Sequence, residues 1–487
     1  MKKTGLIFAF TLAGLVLLFA DFGGNPAITH MAAIAIFMSA LWISEAIPLA
    51  ATALIPLVAF PLLGISSGKT VAATYINSTI FLFIGGFLIA LAMEQWNLHK
   101  RIALNLLTLF GGHPTRVVMG FIVATAFLSM WVSNTATTIA MLPVALAIIS
   151  RFEKLMPAEQ TERFSTGLLL SVAYSASIGG MMTLVGTPPN LVFSRIYEIS
   201  TGGEKAISFV QWMGLGVPVG LTMLLILILY MTFFYFRKMK FEVSLDAVIE
   251  KERRDLGRMS QEEKVVAFIF ATTALLWITR KGLAVIGLPG WSALLPNGDF
   301  IDDGTVAITM ALTLFFIPAR SQKKAGSRLL DATVFTRIPW SVIILFGGGF
   351  ALASGFVDTG LSKWLASNLQ GLAEAGMVTI VLSIATMMTF LTELTSNTAT
   401  TQLILPLLYS TAEAMSLSPL LLMLPATLSA SFAFMLPVAT PPNAIIFGSG
   451  RLRVIDMVKT GFLLNLFGIV VVLLMTLLLA PIVFDIR

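Results

Sequence analysis

The chain has no cysteine and three histidines in 487 residues, and only 11% of its residues are charged. Without cysteine there is no disulfide, no thiolate metal site and no thiol nucleophile. His30, His99 and His113 fall far apart, near the ends of apolar runs, so they offer no metal cluster. No carboxylate pair and no nucleophile with its base stands out, which argues against an enzyme. A soluble domain carries roughly 25% charge. What replaces that charge here is apolar: 57% of residues are hydrophobic and the mean hydropathy is +0.91. Runs near 20 residues recur from end to end, and each can cross a hydrocarbon core of about 30 Å. The chain therefore reads as an all-α polytopic membrane protein of one integrated fold. Its net charge of +6 does not point to nucleic acid, because the Lys and Arg sit in short loops between runs and report orientation.

Eleven spans are expected near 4–20, 28–47, 49–65, 79–95, 165–197, 211–237, 264–282, 303–318, 339–357, 420–449 and 460–482. With Lys2 and Lys3 in the cytoplasm, seven of the 31 Lys and Arg fall outside: Lys69, Arg195, Lys205, Arg280, Lys281, Lys363 and Arg487. The remaining basic residues then fall inside. That asymmetry places the N-terminus in the cytoplasm and the C-terminus outside a plasma (inner) membrane. The basic, apolar start resembles a signal peptide but lacks a small-x-small cleavage site, so it is read as the first span. Trp42, Trp96, Trp212 and Trp340 are expected to include interface anchors.

Two stretches read almost alike. FLSMWVSNTATTIAMLP (Phe127–Pro143) is matched 263 positions later by FLTELTSNTATTQLILP (Phe390–Pro406), and FLFIGGF (Phe81–Phe87) by ILFGGGF (Ile344–Phe350). GTPPN (Gly186–Asn190) is likewise answered by ATPPN (Ala439–Asn443). With the expected topology the two copies run in opposite senses, the inverted-repeat plan of many secondary transporters. Residues 117–150 carry no charge and would measure about 51 Å as one helix. That is too long for one crossing and too short for two. A break at Ser133–Thr135 makes it a re-entrant hairpin entering from the cytoplasm, and 377–412 makes a second hairpin entering from outside. Pro188 and Pro189 break the 165–197 span, and Pro441 and Pro442 break 420–449, because proline has no N–H and clashes with the preceding turn. Such backbone is tolerated at depth only when buried in protein or lining a polar cavity.

A lone Ser-Asn-Thr in a span is ordinary packing or hydrogen-bond glue. Two copies, each followed by a proline break, read instead as one site. Its contents are hydroxyls, two carboxamides, freed carbonyls and helix N-termini, with no Asp, Lys, Arg or His at either motif. Neutral oxygens suit Na⁺, whereas N–H groups and positive helix ends suit a carboxylate. Gly85, Gly86, Gly347, Gly348 and Gly349 are read as packing glycines. Glu45 and Glu393 are read as structural hydrogen-bonding groups, the second because its repeat mate is Met130.

FLSMWVSNTAT, LTELTSNTAT, SASIGG, GTPPN and FAFMLPVATPPNAIIFGSG resemble the divalent anion:sodium symporters, the INDY-type dicarboxylate carriers, from about Leu41 to Phe467. The resemblance implies sodium-coupled import of C4-dicarboxylates (succinate, malate, fumarate) by a homodimer whose transport unit moves elevator-like against a scaffold. It implies one sodium site at Ser129, Ser133, Asn134 and the Gly186 carbonyl, and another at Thr392, Thr395, Asn397 and the Ala439 carbonyl. The substrate would meet Ser133, Asn134, Thr135, Ser396, Asn397 and Thr398, with Thr187, Thr440 and Pro441 nearby. A sodium-independent dicarboxylate exchanger and a carrier of another divalent anion (sulfate, citrate) are the alternatives. The expected division is scaffold at 1–116 and 264–376, each ending in an interfacial arm, transport segments at 117–237 and 377–487, and a cytoplasmic linker at 238–263.

Overall fold

A backbone inside lipid must satisfy its own polar groups, so the apolar runs of this chain have little choice but to coil. The computed structural model describes all residues except Met1, Gly23, Lys238, 240–243, 284–287, 321–326, 369–375 and Arg487. Lys238, Lys240, Lys323, Lys324 and Arg487 of the charge asymmetry, and the far end of the expected outer arm, thus lie outside the described residues.

The first half opens with α1 (Lys2–Phe19) packed on α2 (Pro26–Ser44), then two short helices, α3 (Leu49–Thr52) and α4 (Ile55–Leu62), and α5 (Gly68–Thr74). The expected 49–65 span is thus interrupted at Ala53 and Leu54, ahead of Pro56, and the freed Ala53 carbonyl accepts the Tyr75 hydroxyl at 2.5 Å. Next come α6 (Ser78–Gln95), capped by Asn77, and the amphipathic α7 (Leu98–Phe110). A helix pair follows, α8 (Pro114–Ser129) and α9 (Asn134–Glu153), then α10 (Ala158–Gly180) and α11 (Pro188–Ser200). The half closes with α12 (Phe209–Leu229), which starts at a Ser208–Gln211 capping box and ends in a π-helical turn over Tyr230–Tyr235. A short polar helix, α13 (Asp246–Asp255), lies in the linker.

The second half comprises α14 (Gln261–Thr279), α15 (Asp303–Phe316), α16 (Trp340–Thr359) and α17 (Leu361–Asn368). The pair α18 (Met377–Thr392) and α19 (Asn397–Ala414) precedes α20 (Leu420–Ser429), α21 (Pro441–Phe447), α22 (Val454–Leu478) and α23 (Ala480–Val483). A two-residue ladder joins 282–283 to 288–289. Among the described residues, seven helical stretches are long and apolar enough to cross a bilayer by length and composition, Asn134–Glu153 among them; the expected spans at 49–65, 165–197 and 420–449 are each divided into shorter helices.

The repeat extends to the elbows. Between α6 and α7 the chain turns at Asn97 (φ 59°), and between α16 and α17 at its mate Gly360 (φ 81°). His99 Nδ1 lies 3.1 Å from the Met93 carbonyl, and in the mate elbow the Ser362 hydroxyl donates to the Phe356 carbonyl at 2.6 Å. The glycines pack as expected: a Cβ on Gly85 or Gly348 would fall within 2.6 Å of Ala307 or Ala53 respectively. Two expectations differ. Glu45 is exposed at the C-cap of α2 in left-handed backbone. Trp42 and Trp212 are core residues, with indoles donating to the Leu49 and Met181 carbonyls.

Candidate functional site

The turns between α8 and α9 and between α18 and α19 are built the same way. Ser133 stands in extended backbone before α9 and accepts from the Ala136 N–H; Ser396 does the same before α19, accepting from Ala399. These N-caps explain why Asn134 and Asn397 open their helices. At the end of α8 the Ser129 hydroxyl donates to Asn134 Oδ1 and to the Ala176 carbonyl, each 2.7 Å away. At the end of α18 the Thr392 hydroxyl donates to Asn397 Oδ1 at 2.5 Å and to the Ala430 carbonyl at 3.0 Å. In each half, therefore, a hydroxyl, an amide oxygen and a backbone carbonyl converge while sharing a single proton. Such a cluster of neutral oxygens is short of donors and suits a hard cation.

The breaks after α10 and α20 complete the picture. Thr187 and Thr440, both buried, stand in extended backbone before Pro188 and Pro441. Thr440 caps α21 by accepting from the Asn443 N–H at 3.3 Å, whereas Thr187 makes no such cap bond. Only glycine fits where α10 ends: a Cβ on Gly180 would lie 2.2 Å from Asn134 Oδ1, and one on Gly186 would lie 2.4 Å from the Gly180 carbonyl oxygen. Ser129, Asn134 and Gly186 are thus brought into one neighbourhood. The two halves also interlock, since α21 packs on α9 and α10 while α11 packs on α19 and α20. Ser133, Asn134, Thr135, Ser396, Asn397 and Thr398 are all partly exposed, as a solute-accessible site requires; Ala439 is partly exposed and Pro441 exposed. Thr395 stands apart. Its hydroxyl donates to the Leu391 carbonyl and pairs with Thr400 at 2.7 Å, and it lines a crevice of about 300 Å³ against α2, α16 and α17.

Other residues support the loops. Buried Glu393 accepts from the Met435 and Leu436 N–H groups (2.8 and 3.1 Å) and from Asn465 Nδ2 (2.8 Å), the structural role expected of it. In the first half the Thr183 hydroxyl, donating to the carbonyl of Met130, ties the loop to the hairpin instead. Asn190 and Asn443 hold the carbonyls of both breaks. Sequence reasoning passed over these two, although both stand inside the GTPPN and ATPPN motifs. The repetition of Asn after Pro-Pro was the available signal.

Residues 3–485 match the sodium:sulfate symporter transmembrane region. The chain is 41% identical over 481 residues to a protein of Staphylococcus saprophyticus called sodium-dependent dicarboxylate transporter SdcS, covering 98% of this chain and 90% of that one. It is 42% identical over 462 residues to a Staphylococcus aureus protein of the same name, with 94% and 87% covered. Among solved structures, Neisseria gonorrhoeae MtrF superposes with a TM-score of 0.58 at 12% identity, over 96% of this chain and 97% of that one. The Alcanivorax borkumensis YdaH transporter gives 0.50 at 12% identity, over 85% and 88%. These two similarities are of fold alone.

Proposed function

Since the chain belongs to the sodium:sulfate symporter transmembrane family, we propose that it imports C4-dicarboxylates across the plasma membrane, driven by inward Na⁺. The observation that carries this reading is the paired oxygen cluster: Ser129, Asn134 and Ala176 in one half, Thr392, Asn397 and Ala430 in the other. One Na⁺ binds in each, completed by Ser133 and the Gly186 carbonyl in the first half and by the Ala439 carbonyl in the second. Because the Thr395 hydroxyl is taken by Leu391 and Thr400, that residue serves the second cation through its backbone carbonyl. The dicarboxylate lies between the tips. Its carboxylates accept from Thr135, Thr398 and the N–H groups that open α9 and α19, whose helix ends favour negative charge. Thr187, Thr440 and Pro441 line its flanks. Bound Na⁺ offsets the substrate's charge and orders the loops that touch it, and this is the physical basis of coupling.

The topology is eleven crossings with two opposed re-entrant hairpins, N-terminus inside. Segments 117–237 and 377–487 move as one transport unit against a scaffold that carries the homodimer contact. In the state described, the flank of α9 and α21 is open: Ile139, Pro143, Pro441 and Ala444 are exposed, whereas α11 and α19 are almost entirely covered. With the N-terminus inside, that flank faces the cytoplasm. The test is uptake of labelled succinate into liposomes holding the pure protein. A Na⁺ gradient should drive accumulation, and Asn134→Ala or Asn397→Ala should raise the Na⁺ concentration required. Uptake indifferent to Na⁺ would overturn the coupling and favour the exchanger. The family's description names sulfate, so sulfate that displaces succinate in competition would reassign the substrate.

A further inference from the structure

Asn190 and Asn443 are repeat mates, fully buried, three residues into the helices that follow the two breaks. Asn190 Nδ2 lies within donating distance of the carbonyls of Gly180 (3.2 Å), Met181 (3.3 Å) and Thr183 (2.7 Å). Asn443 Nδ2 donates to Ala433 and Leu436, each at 3.0 Å, and these are the mates of Gly180 and Thr183. The same backward clamp therefore recurs in both halves around loops that otherwise differ in sequence. Each clamp also holds backbone next to a residue whose carbonyl is assigned above to a cation. Gly180, clamped by Asn190, lies where an added Cβ would collide with Asn134 Oδ1, and a Cβ on Gly186 would collide with the Gly180 carbonyl oxygen. The Leu436 carbonyl, clamped by Asn443, also accepts from the Ala439 N–H at 3.2 Å.

Helix packing does not account for these amides. The Oδ1 of each is buried with no hydrogen-bond partner among the described residues. A leucine of similar shape would fill the space without that penalty, since an unpaired buried acceptor is costly. A loop with unpaired carbonyls could instead turn them several ways. We propose that Asn190 and Asn443 are positioning residues for the two coupling cations: each fixes its loop so that the Gly186 or Ala439 oxygen faces Asn134 or Asn397. The inference rests on the sodium-coupled reading and assigns these residues no contact with substrate.

The test uses reconstituted full-length protein carrying Asn190→Leu or Asn443→Leu, with Asn190→Ser and Asn443→Ser as gentler variants. Half-activation of succinate uptake by Na⁺ should rise about tenfold, the scale of one lost buried hydrogen bond. The succinate half-saturation at saturating Na⁺ should change little. Without succinate, the rise in melting temperature that Na⁺ produces over K⁺ should shrink in the same variants. Folded variants with a wild-type Na⁺ response, or with only the succinate constant shifted, would overturn the assignment. In the wild type, Na⁺ alone should slow amide hydrogen exchange in 181–187 and 431–440. Unchanged exchange there refutes the clamp even if every variant misfolds. Wild-type protein with no Na⁺-dependent uptake would instead sink the carrier reading itself.

Discussion

Residues 127–143 and 390–406 share most of their side chains, yet their surroundings are opposite. Ile139 is 57% exposed while its mate Gln402 is fully buried, its amide donating to the Leu345 carbonyl at 3.0 Å and its stem set against Gly349. Val438 is 84% exposed while its mate Val185 is half-buried against Gly86. The Ile139–Gln402 exchange is written in the sequence, but Val185 and Val438 are the same residue, so local sequence does not account for their different exposure. The difference lies in what covers each copy.

The halves also differ in how they hold their loops, and exchanging mates tests this. The largest effect is expected from Glu393→Met, which installs the residue found at the mate position. Three donors lose their acceptor, and thermal unfolding should report a loss of roughly 3 kcal/mol or more. Thr183→Val, which cuts the corresponding tie in the first half, should cost about 1 kcal/mol. Gly180→Ala should come next. A methyl 2.2 Å from Asn134 Oδ1 must displace the tip, and overpacking of about 1–3 kcal/mol should cut Na⁺-dependent uptake about tenfold or more. Ala433→Gly, the reverse exchange in the other half, should leave uptake nearly intact. Unequal cover is tested by chemistry, since the native chain has no cysteine. Cysteine at 139 or 438 should react quickly with a maleimide, and cysteine at 402 slowly; equal rates would erase the contrast.

The smallest effect concerns the elbows. Burial pushes the His99 imidazole below its ordinary pKa, against a lesser upward pull from the Met93 carbonyl and Glu94. The unfolded chain then binds a proton more readily than the folded one, so stability is full above about pH 6.5 and declines below it, down to the lowered folded value. His99→Ser, which copies the Ser362 elbow, should remove that component of the acid dependence, as melting curves between pH 5 and 8 would record.

Much of this arrangement is legible in the sequence, because a proline or a polar triplet inside an apolar run has few permissible explanations at depth. The breaks expected within 117–150 and 377–412 are present as the turns between α8 and α9 and between α18 and α19, and in the first pair the helices run a few residues past the apolar run, to Pro114 and Glu153. The break at Ala53 escapes hydropathy because the 49–65 run is apolar apart from Thr52; Pro56 is its nearest mark, and nothing in the run signals the freed carbonyl that Tyr75 satisfies. Which helix crosses to which half is likewise absent from any periodicity, since α11 is short and buried on nearly all sides and α21 is only seven residues long. The role of Thr395 could not be read from spacing either, because it depends on Thr400, whose mate Thr137 has Val132 opposite it in place of a threonine.

Trp131, in the first hairpin tip, stacks on Phe209 (6.1 Å, 15°) and meets Phe270 edge-on (5.3 Å, 85°), while Phe209 stacks on Trp277 (4.7 Å, 22°). Phe270 and Trp277 both belong to α14. Any travel of the tip past α14 must pull apart a pair of these ring contacts, each worth about 0.5–1.5 kcal/mol beyond burial. For the moving unit proposed above, the column would then act as a shallow detent, firm enough to index one position and weak enough to be left on thermal timescales.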